Sequence, residues 1–423
     1  MISKYSKRQW LILFVYSVAN LLSAFGVSIQ GPFFPMIAEM KGATPLHNGL
    51  IFGAQSFAII FINPLVPLVF LVLLITGISS VLFGFVNKLS SVVLFVSLSV
   101  ILRIIEGLGF AMCRSAGIAI ISSEFSEKVE IVFGIFQAFF SSGMLIGPVA
   151  GGALYELGGF YLPFVLIGVL LVCIAFVVLC LHKDYAKHGT SSRKDIENLL
   201  RQTSVILGMF SIFGYFLNLM FVLSTLELHI KSLNLSPVQV GAVFLCNGIA
   251  SIFSSLFWGL LFEKYDKPFL LCSISAVINI FGMLLLGPAP YLFLNLNIYT
   301  CVFGLLIHGV GIGGELIGGF SLLNKGIFLA GLNKNIQTYG LVSALFMTSL
   351  ALGSFIGPIL GGYLFDVIGF PWGLHVFIVY HLVFSITMII FNYLLNGRSE
   401  KRENENQQSS TETIRIYGSI AKN

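Results

Sequence analysis

Residues 143–160 read GMLIGPVAGGALYELGGF, and residues 353–370 read GSFIGPILGGYLFDVIGF. Nine of the eighteen aligned positions are identical, and most of the others differ conservatively. The two copies begin about half of the 423-residue chain apart, so the protein consists of two related halves. In an apolar chain, a repeat of this spacing is typical of a transporter built from two parallel bundles.

The composition is that of a membrane protein. The chain is 57% hydrophobic and only 10% charged, whereas a soluble domain carries about 25% charged residues. Most of its surface must therefore face lipid or other apolar helices. The charges form no basic patch interleaved with aromatic residues, so no nucleic-acid partner is expected. The six cysteines lack metal-binding spacing, and nothing in the sequence indicates a metal ion or another cofactor.

Twelve apolar segments are long enough to cross a bilayer, since each crossing needs about 20 residues. We predict an all-α polytopic membrane protein with two six-helix bundles, at residues 1–181 and 203–396. Residues 182–202 form a polar cytoplasmic linker, and residues 397–423 form a polar tail that we expect to be disordered. The predicted spans are 10–32, 49–66, 67–86, 92–114, 131–154, 161–181, 203–226, 238–261, 268–288, 298–323, 338–364 and 373–396.

The basic residues are distributed unequally between the two sides of these spans. With the N-terminus in the cytosol, nineteen of the 23 Lys and Arg residues, Arg114 and Lys128 among them, fall on the cytoplasmic side. Three fall on the other side, and Arg103 lies inside a span. This bias is what the positive-inside rule expects, so both termini are predicted to be cytoplasmic.

Each copy of the repeat carries Gly-x-x-x-Gly-Pro-x-x-Gly-Gly along one span. Glycines four positions apart let a neighbouring helix approach closely, and proline removes a backbone donor and bends its helix. Two interpretations stay open: a gate that bends as the halves rock against each other, or close packing without gating. The residues concerned are Gly143, Gly147, Pro148, Gly151, Gly152, Gly353, Gly357, Pro358, Gly361 and Gly362.

Arg103, Glu106 and Glu315 lie well inside predicted spans, where a charge costs roughly a few kcal/mol or more. Arg103 and Glu106 stand at i and i+3 and can pair, either as a structural ion pair or as groups that take part in proton coupling. Glu315 lies in a glycine-rich stretch with only His308 near it in sequence. A lone buried carboxylate suits a proton carrier or the counter-charge of a cation. The alternative is that Glu315 faces the cytoplasmic end of a cavity.

The sequence resembles the major facilitator superfamily over residues 10–396. Residues 143–152 look like the family's antiporter signature, and residues 353–362 look like its second copy. Residues 103–109, RIIEGLG, look like the arginine motif of the family's fourth helix. Residues 259–267, GLLFEKYDK, look like a degenerate loop motif between its eighth and ninth helices. The resemblance implies a major facilitator fold and transport by alternating access.

A narrower resemblance is to the vesicular amine transporters of solute carrier family 18, and within them to the vesicular polyamine transporter branch. It rests on residues 31–35 (GPFFP), 49–53 (GLIFG), 225–227 (TLE) and 340–346 (GLVSALF). The resemblance implies proton-coupled antiport of an organic cation, a polyamine or a related amine, into a vesicle or another intracellular compartment. We therefore expect the protein to be a monomer. Its expected partners are this small cation, protons and the lipid bilayer.

By analogy with other proteins of this fold, we expect the first and seventh helices to line a central cavity. Glu227, at the end of the seventh span, either meets a cation there or is a solvated helix-end charge. Four positions before Glu227 the family usually has an acidic residue, and this sequence has Leu223 there. The neutral candidates for substrate contact on the two helices are Asn20, Ser28, Gln30, Tyr215 and Asn218.

One element of the family pattern is absent from the first half. When the halves are aligned, residues 259–267 have no counterpart at the junction between Val66 and Pro67. Either the loop is lost from the sequence or the junction is a tight hairpin, which would pull backbone polar groups toward the hydrocarbon. The alternative function is therefore a non-transporting or regulatory shortened form. No metal-ligand cluster or nucleophile–base pair appears in the spans, so no catalytic residue and no enzyme are expected.

Overall fold

The protein is a bundle of long helices. The computed structural model describes residues 5–30, 33–43, 47, 50–51, 54–55, 57, 69–181, 193–234, 237–288, 291 and 297–420. Within these ranges it does not describe the side chains after Leu394 or those of Pro35, Met36, Val69, Arg193, Glu227, Ser232, Pro237 and Val238. Its α-helices are α1 (Lys7–Ser28), α2 (Phe34–Met40), α3 (Val69–Phe85), α4 (Val92–Glu124), α5 (Val129–Gly158), α6 (Tyr161–Leu181), α7 (Arg193–Leu200), α8 (Thr203–Ile230), α9 (Pro237–Tyr265), α10 (Pro268–Leu286), α11 (Ile298–Leu329) and α12 (Ile336–Ile420).

Within the described residues, ten helices are long and apolar enough to cross a membrane. The last of them, α12, has a non-helical kink at Gly369 (φ 77°, ψ 166°) that divides it into two arms, so it accounts for the last two predicted spans. The others coincide in position with predicted spans. The second predicted span, residues 49–66, lies mostly outside the described residues, and the junction between Val66 and Pro67 lies wholly outside them.

Two predicted boundaries differ from the structure. α4 continues to Glu124, about three turns past the predicted end of its span, so Arg114 is part of the helix and is not a loop residue. The backbone of α12 is helical through Ile420, whereas the composition predicts a disordered tail at 397–423. Extending an existing helix needs no new nucleus, so a polar segment can continue a helix that is already formed.

Local sequence fixes several helix ends. Ser6 caps α1 in a capping box with Gln9, and Asn297 caps α11 by accepting hydrogen bonds from the first turn. Each such cap satisfies backbone donors that a helix start leaves unpaired. The two repeat copies end alike, because Gly159 (φ 74°) and Gly369 (φ 77°) adopt the same left-handed backbone conformation, which only glycine enters without strain.

Helix packing follows the repeat. In the first half α1 packs on α5 and α3 packs on α6, and in the second half α8 and α10 make the corresponding contacts with the two arms of α12. The halves meet where α5 contacts α9 and where α4 contacts α12. Residues 182–192 of the predicted linker lie outside the described residues, and α7 occupies the following part. The exact division into domains stays a prediction.

Candidate functional site

The first copy of the glycine repeat presses α5 against α1. A methyl group added at Gly143 or Gly151 would collide with a backbone oxygen of α1. At Gly147 it would collide with the hydroxyl of Ser28. Gly152, in contrast, has open space around it. Three of the four glycines therefore make the helix contact possible and the fourth does not.

The second copy presses α12 against α8 in the same way. A Cβ at Gly353 would lie 2.6 Å from a backbone oxygen of α8, and one at Gly357 would lie 2.8 Å from another. At Gly361 the nearest atom is the Ser224 hydroxyl, at 3.0 Å. Gly362 again has open space. The two copies therefore perform the same packing in each half.

The repeat prolines, Pro148 and Pro358, both lie inside their helices and do not end them. Each removes one backbone donor, which weakens the helix locally. The close contacts explain the glycines without any motion, so the gating role of these positions stays a prediction.

Alanine substitution separates the packed glycines from the open one. Gly143→Ala is expected to lower the free energy of unfolding by about 1–3 kcal/mol, because the added methyl overpacks a tight contact. Gly152→Ala is expected to be neutral or to stabilise the helix by up to about 1 kcal/mol. Thermal unfolding of the detergent-solubilised protein measures both, and Gly353 and Gly362 provide the same comparison in the second half. Equal effects at both positions would contradict the packing argument.

A buried ion pair lies within α4 in the first half. Nη1 of Arg103 is 2.6 Å from Oε2 of Glu106, and the guanidinium lies 3.9 Å from the centroid of the Phe83 ring. The other carboxylate oxygen of Glu106 has no hydrogen-bond partner among the described residues. Glu106 also lines a small cavity of about 10 Å³, together with Ser23 and Thr76 among others. A cavity of this size is close to what one water molecule requires.

Arg114 is fully buried where the two halves meet. Its Nη1 donates a hydrogen bond to Oδ1 of Asn20 (2.8 Å), and its Nη2 donates one to Oε1 of Gln137 (2.6 Å). Its guanidinium lies 3.9 Å from the Phe140 ring centroid and 5.6 Å from that of Phe346 in the other half. The sequence counts Arg114 among the cytoplasmic charges at the end of its span, but the residue is buried within α4, which runs about three turns further than its apolar run suggests.

Glu315 has a basic neighbour that is remote in sequence. Its Oε1 lies 2.8 Å from Nδ1 of His381, on the second arm of α12, and both side chains are almost completely buried. Nδ2 of Asn279 is 3.5 Å from the same carboxylate oxygen and 3.3 Å from Nε2 of His381. Nδ2 of Asn218 lies 3.4 Å from Nε2 of His381. The second half therefore contains a titratable pair within a polar cluster.

His308, the basic residue near Glu315 in sequence, makes a different contact. Its Nδ1 lies 2.7 Å from Nδ2 of Asn247 on α9. His308 therefore contacts Asn247, and the basic group that helix packing brings to Glu315 is His381 on α12.

The predicted cavity residues do not form one group. Asn20 and Tyr215 lie near Arg114, and Tyr215 is close enough to it for an electrostatic interaction. Asn218 belongs to the cluster around Glu315. Ser28 donates a hydrogen bond to the backbone oxygen of Gly143 (3.3 Å) and so helps to pack α1 on α5. Gln30 is buried, and the side chain of Glu227 lies outside the described residues.

The two halves are held together at one end of the molecule, which we call the Lys128 face after Lys128 and Glu263. Nζ of Lys128 lies 2.7 Å from Oε1 of Glu263, and this hydrogen bond raises the pKa of the Lys128 ammonium above its ordinary value. The Lys128 ammonium is therefore charged throughout the physiological pH range. Deeper in, the rings of Phe133 and Phe320 stack with centroids 3.8 Å apart.

A polar contact between the halves lies beside Arg114. The hydroxyls of Ser115 on α4 and Ser343 on α12 are 2.8 Å apart and both are buried. Backbones also approach closely, since a Cβ at Gly134 of α5 would lie 2.6 Å from the backbone oxygen of Ser255 on α9. The described contacts therefore bring the halves together from the Lys128 face to the level of Arg114.

The sequence analysis did not single out several residues of these clusters, among them Arg114, Gln137, Asn279 and His381. The signal was available for His381 and Asn279, which are polar residues inside predicted spans, where polar groups mark functional positions. For Arg114 the signal was obscured, because it lies at the predicted end of its apolar run and was assigned to the basic loop that follows.

The comparisons with known proteins agree on one family. A family model described as Major Facilitator Superfamily matches residues 16–333. MFS-type transporter SLC18B1 of Homo sapiens is 30% identical over 97% of this chain and 92% of that protein. The chromaffin granule amine transporter of Rattus norvegicus is 24% identical over 86% of this chain and 69% of that protein.

A solved structure shows the same fold. The crystal structure of the human organic anion transporter MFSD10 (TETRAN) superimposes with a TM-score of 0.71, covering 90% of this chain and 100% of that one, at 16% sequence identity. The predicted all-α major facilitator fold is thus confirmed, and the protein is a multi-pass membrane transporter and not an enzyme. The chain belongs to the Major Facilitator Superfamily and, within it, to the solute carrier family 18 of SLC18B1 and the vesicular amine transporters.

Proposed function

We propose that the chain is a proton-coupled antiporter that moves an organic cation, a polyamine or a related amine, into a vesicle or another intracellular compartment. The observation that carries this proposal is the contact between Glu315 and His381, which are 2.8 Å apart and almost completely buried. Each group can gain or lose a proton, and the surrounding protein penalises a net charge. Such a pair is suited to exchange a proton for a substrate cation.

The contacts between the halves support a mechanism of alternating access. The basic residues favour a cytoplasmic Lys128 face, so the ion pair between Lys128 and Glu263 would close the cytoplasmic side. Opening that side requires the Phe133–Phe320 stack and the Ser115–Ser343 contact to separate. The glycine-packed helix pairs, α1 with α5 and α8 with α12, would move as rigid units within each half. The first half's Arg103 and Glu106 are the second candidate for proton coupling.

The names of the relatives support an amine substrate. The rat relative is a chromaffin granule amine transporter, and a human relative, 24% identical over 80% of this chain, is a synaptic vesicular amine transporter. Both names point to amines and to vesicle or granule membranes, and they favour the same substrate class and location for this chain.

Uptake of spermidine into proteoliposomes with an acidic interior tests this function. We expect uptake that a protonophore abolishes, because the proton gradient supplies the driving force. A second preparation would carry a copy of residues 259–267 inserted between Val66 and Pro67. Uptake by both preparations would support antiport, whereas uptake by the restored one alone would make the chain a shortened, non-transporting form. Absence of uptake by both, for spermidine and other amines, would refute the proposal.

A further inference from the structure

A fixed positive charge lies where the two halves of a protein proposed to carry a cation meet. We propose that Arg114 binds a carboxylate of the transported molecule, so that the substrate is an amine that also bears a carboxylate. This inference rests on the proposed function, since it narrows the class of amine, but its geometric basis is independent of proton coupling.

The hydrogen bonding of Arg114 is incomplete. A guanidinium has five N–H donors, and the described partners are Oδ1 of Asn20 on Nη1 and Oε1 of Gln137 on Nη2. Nε is buried and has no hydrogen-bond partner among the described residues. Among the residues that the structure describes, no carboxylate forms an ion pair with Arg114. The remaining donors suit an incoming carboxylate, because the guanidinium fork matches its two oxygens.

Arg103, the other buried arginine, has the carboxylate partner that Arg114 lacks among the described residues. Arg103 is equally buried, but it has Glu106 at 2.6 Å on the same helix. The two side chains therefore differ in charge balance, since Arg103 belongs to a neutral pair and Arg114 has no anionic partner in the part of the chain that the structure describes. An isolated buried charge is strongly unfavourable unless something compensates it.

The aromatic contacts of Arg114 offset only part of the cost of burying its charge. Phe140 at 3.9 Å, with Phe346 and Phe136 at 5.6 and 5.8 Å, surrounds the guanidinium with ring faces. Cation–π contacts stabilise a cation less than a paired anion does in a buried site. The rings also exclude water, which strengthens any charge interaction that forms there.

The position of Arg114 makes it accessible during transport. Its partners Asn20 and Gln137 belong to the first half, while Phe346 belongs to the second. The neighbouring Ser115–Ser343 contact also joins the halves. When the halves separate, the Phe346 side of the guanidinium is uncovered and Asn20 and Gln137 still hold it in place. A substrate that enters the cavity then meets a pre-oriented cation.

Matched ligand pairs test this inference. Ornithine is putrescine with an added carboxylate, and lysine is cadaverine with the same addition. We expect the wild-type protein to bind each carboxylate-bearing member about 10- to 100-fold more tightly, as a charge-assisted hydrogen bond would give. Binding is measured as ligand-induced thermal stabilisation of the detergent-solubilised full chain, so the readout does not depend on transport. Uptake competition in proteoliposomes is the second readout.

Two variants make the test specific to Arg114. Arg114→Gln is expected to abolish the preference for ornithine over putrescine, and Arg114→Lys to retain part of it, since lysine keeps the charge but loses the fork. The ratio of the two ligands within one preparation controls for partial misfolding, because a misfolded protein loses both. Chloride titrated against methanesulfonate, a counter-anion without a carboxylate, is the control for an inorganic anion.

The outcomes are distinguishable from failure of the proposed function. A preference for ornithine that disappears in Arg114→Gln supports the inference, even if no proton-driven uptake is found, in which case only the antiport proposal fails. Equal binding of ornithine and putrescine by the wild-type protein overturns the inference that Arg114 binds a substrate carboxylate. So does a preference that survives in Arg114→Gln, or a stabilisation by chloride that accounts for the whole effect of Arg114.

Discussion

Glu315→Gln is expected to reduce proton-driven uptake by about 5- to 150-fold, the range of ordinary coupling between two ligands. Glutamine keeps the shape of the side chain and its contact with Asn279 but cannot release or bind a proton. His381 would also lose the carboxylate that lies 2.8 Å from its Nδ1. The measurement is spermidine uptake into acidic proteoliposomes at several interior pH values.

The matched control is Asp366→Asn in the same half, since Asp366 is exposed near the end of the repeat copy. We expect this variant to take up substrate like the wild type. His381→Gln is expected to shift the pH dependence of uptake, because it removes one member of the titratable pair. If Glu315→Gln keeps the wild-type response to the gradient, the coupling site lies elsewhere and Glu106 becomes the candidate to test.

Arg103→Met is expected to lower the free energy of unfolding by about 3–5 kcal/mol, because it leaves the carboxylate of Glu106 buried without its partner. Replacing both residues, Arg103→Met with Glu106→Leu, is expected to recover most of this loss or to exceed the wild-type stability. Thermal and chemical unfolding of the three variants in detergent measures the difference.

The same double variant decides between the two interpretations of the pair. A stable double variant that still shows gradient-driven uptake would make Arg103 and Glu106 a structural ion pair. A stable double variant without such uptake would place them in proton coupling, beside or in place of Glu315. If Arg103→Met alone is as stable as the wild type, the argument from an uncompensated buried charge is wrong for this site.

The fold was largely predictable because hydropathy and the repeat are properties of the chain itself. The predicted spans that fall within the described residues coincide with helices, and the repeat ends at glycines of like conformation in both halves. The close approach of a neighbouring helix at the repeat glycines follows from the glycine spacing, which is local information, whereas the structure shows that the neighbours are α1 and α8. The end of α4 was not predictable in this way, since hydropathy marks the membrane core and not the end of a helix.

The sequence by itself determined that this is a membrane transporter of two related halves, with charged residues at Arg103, Glu106 and Glu315. Only the tertiary structure decided which of them have partners. It placed His381 beside Glu315 and joined Asn20 to Arg114 across 94 positions of sequence. The physical reason is that a single helix sets which residues share its own face, whereas the partner of a buried charge depends on which other helix packs against that face.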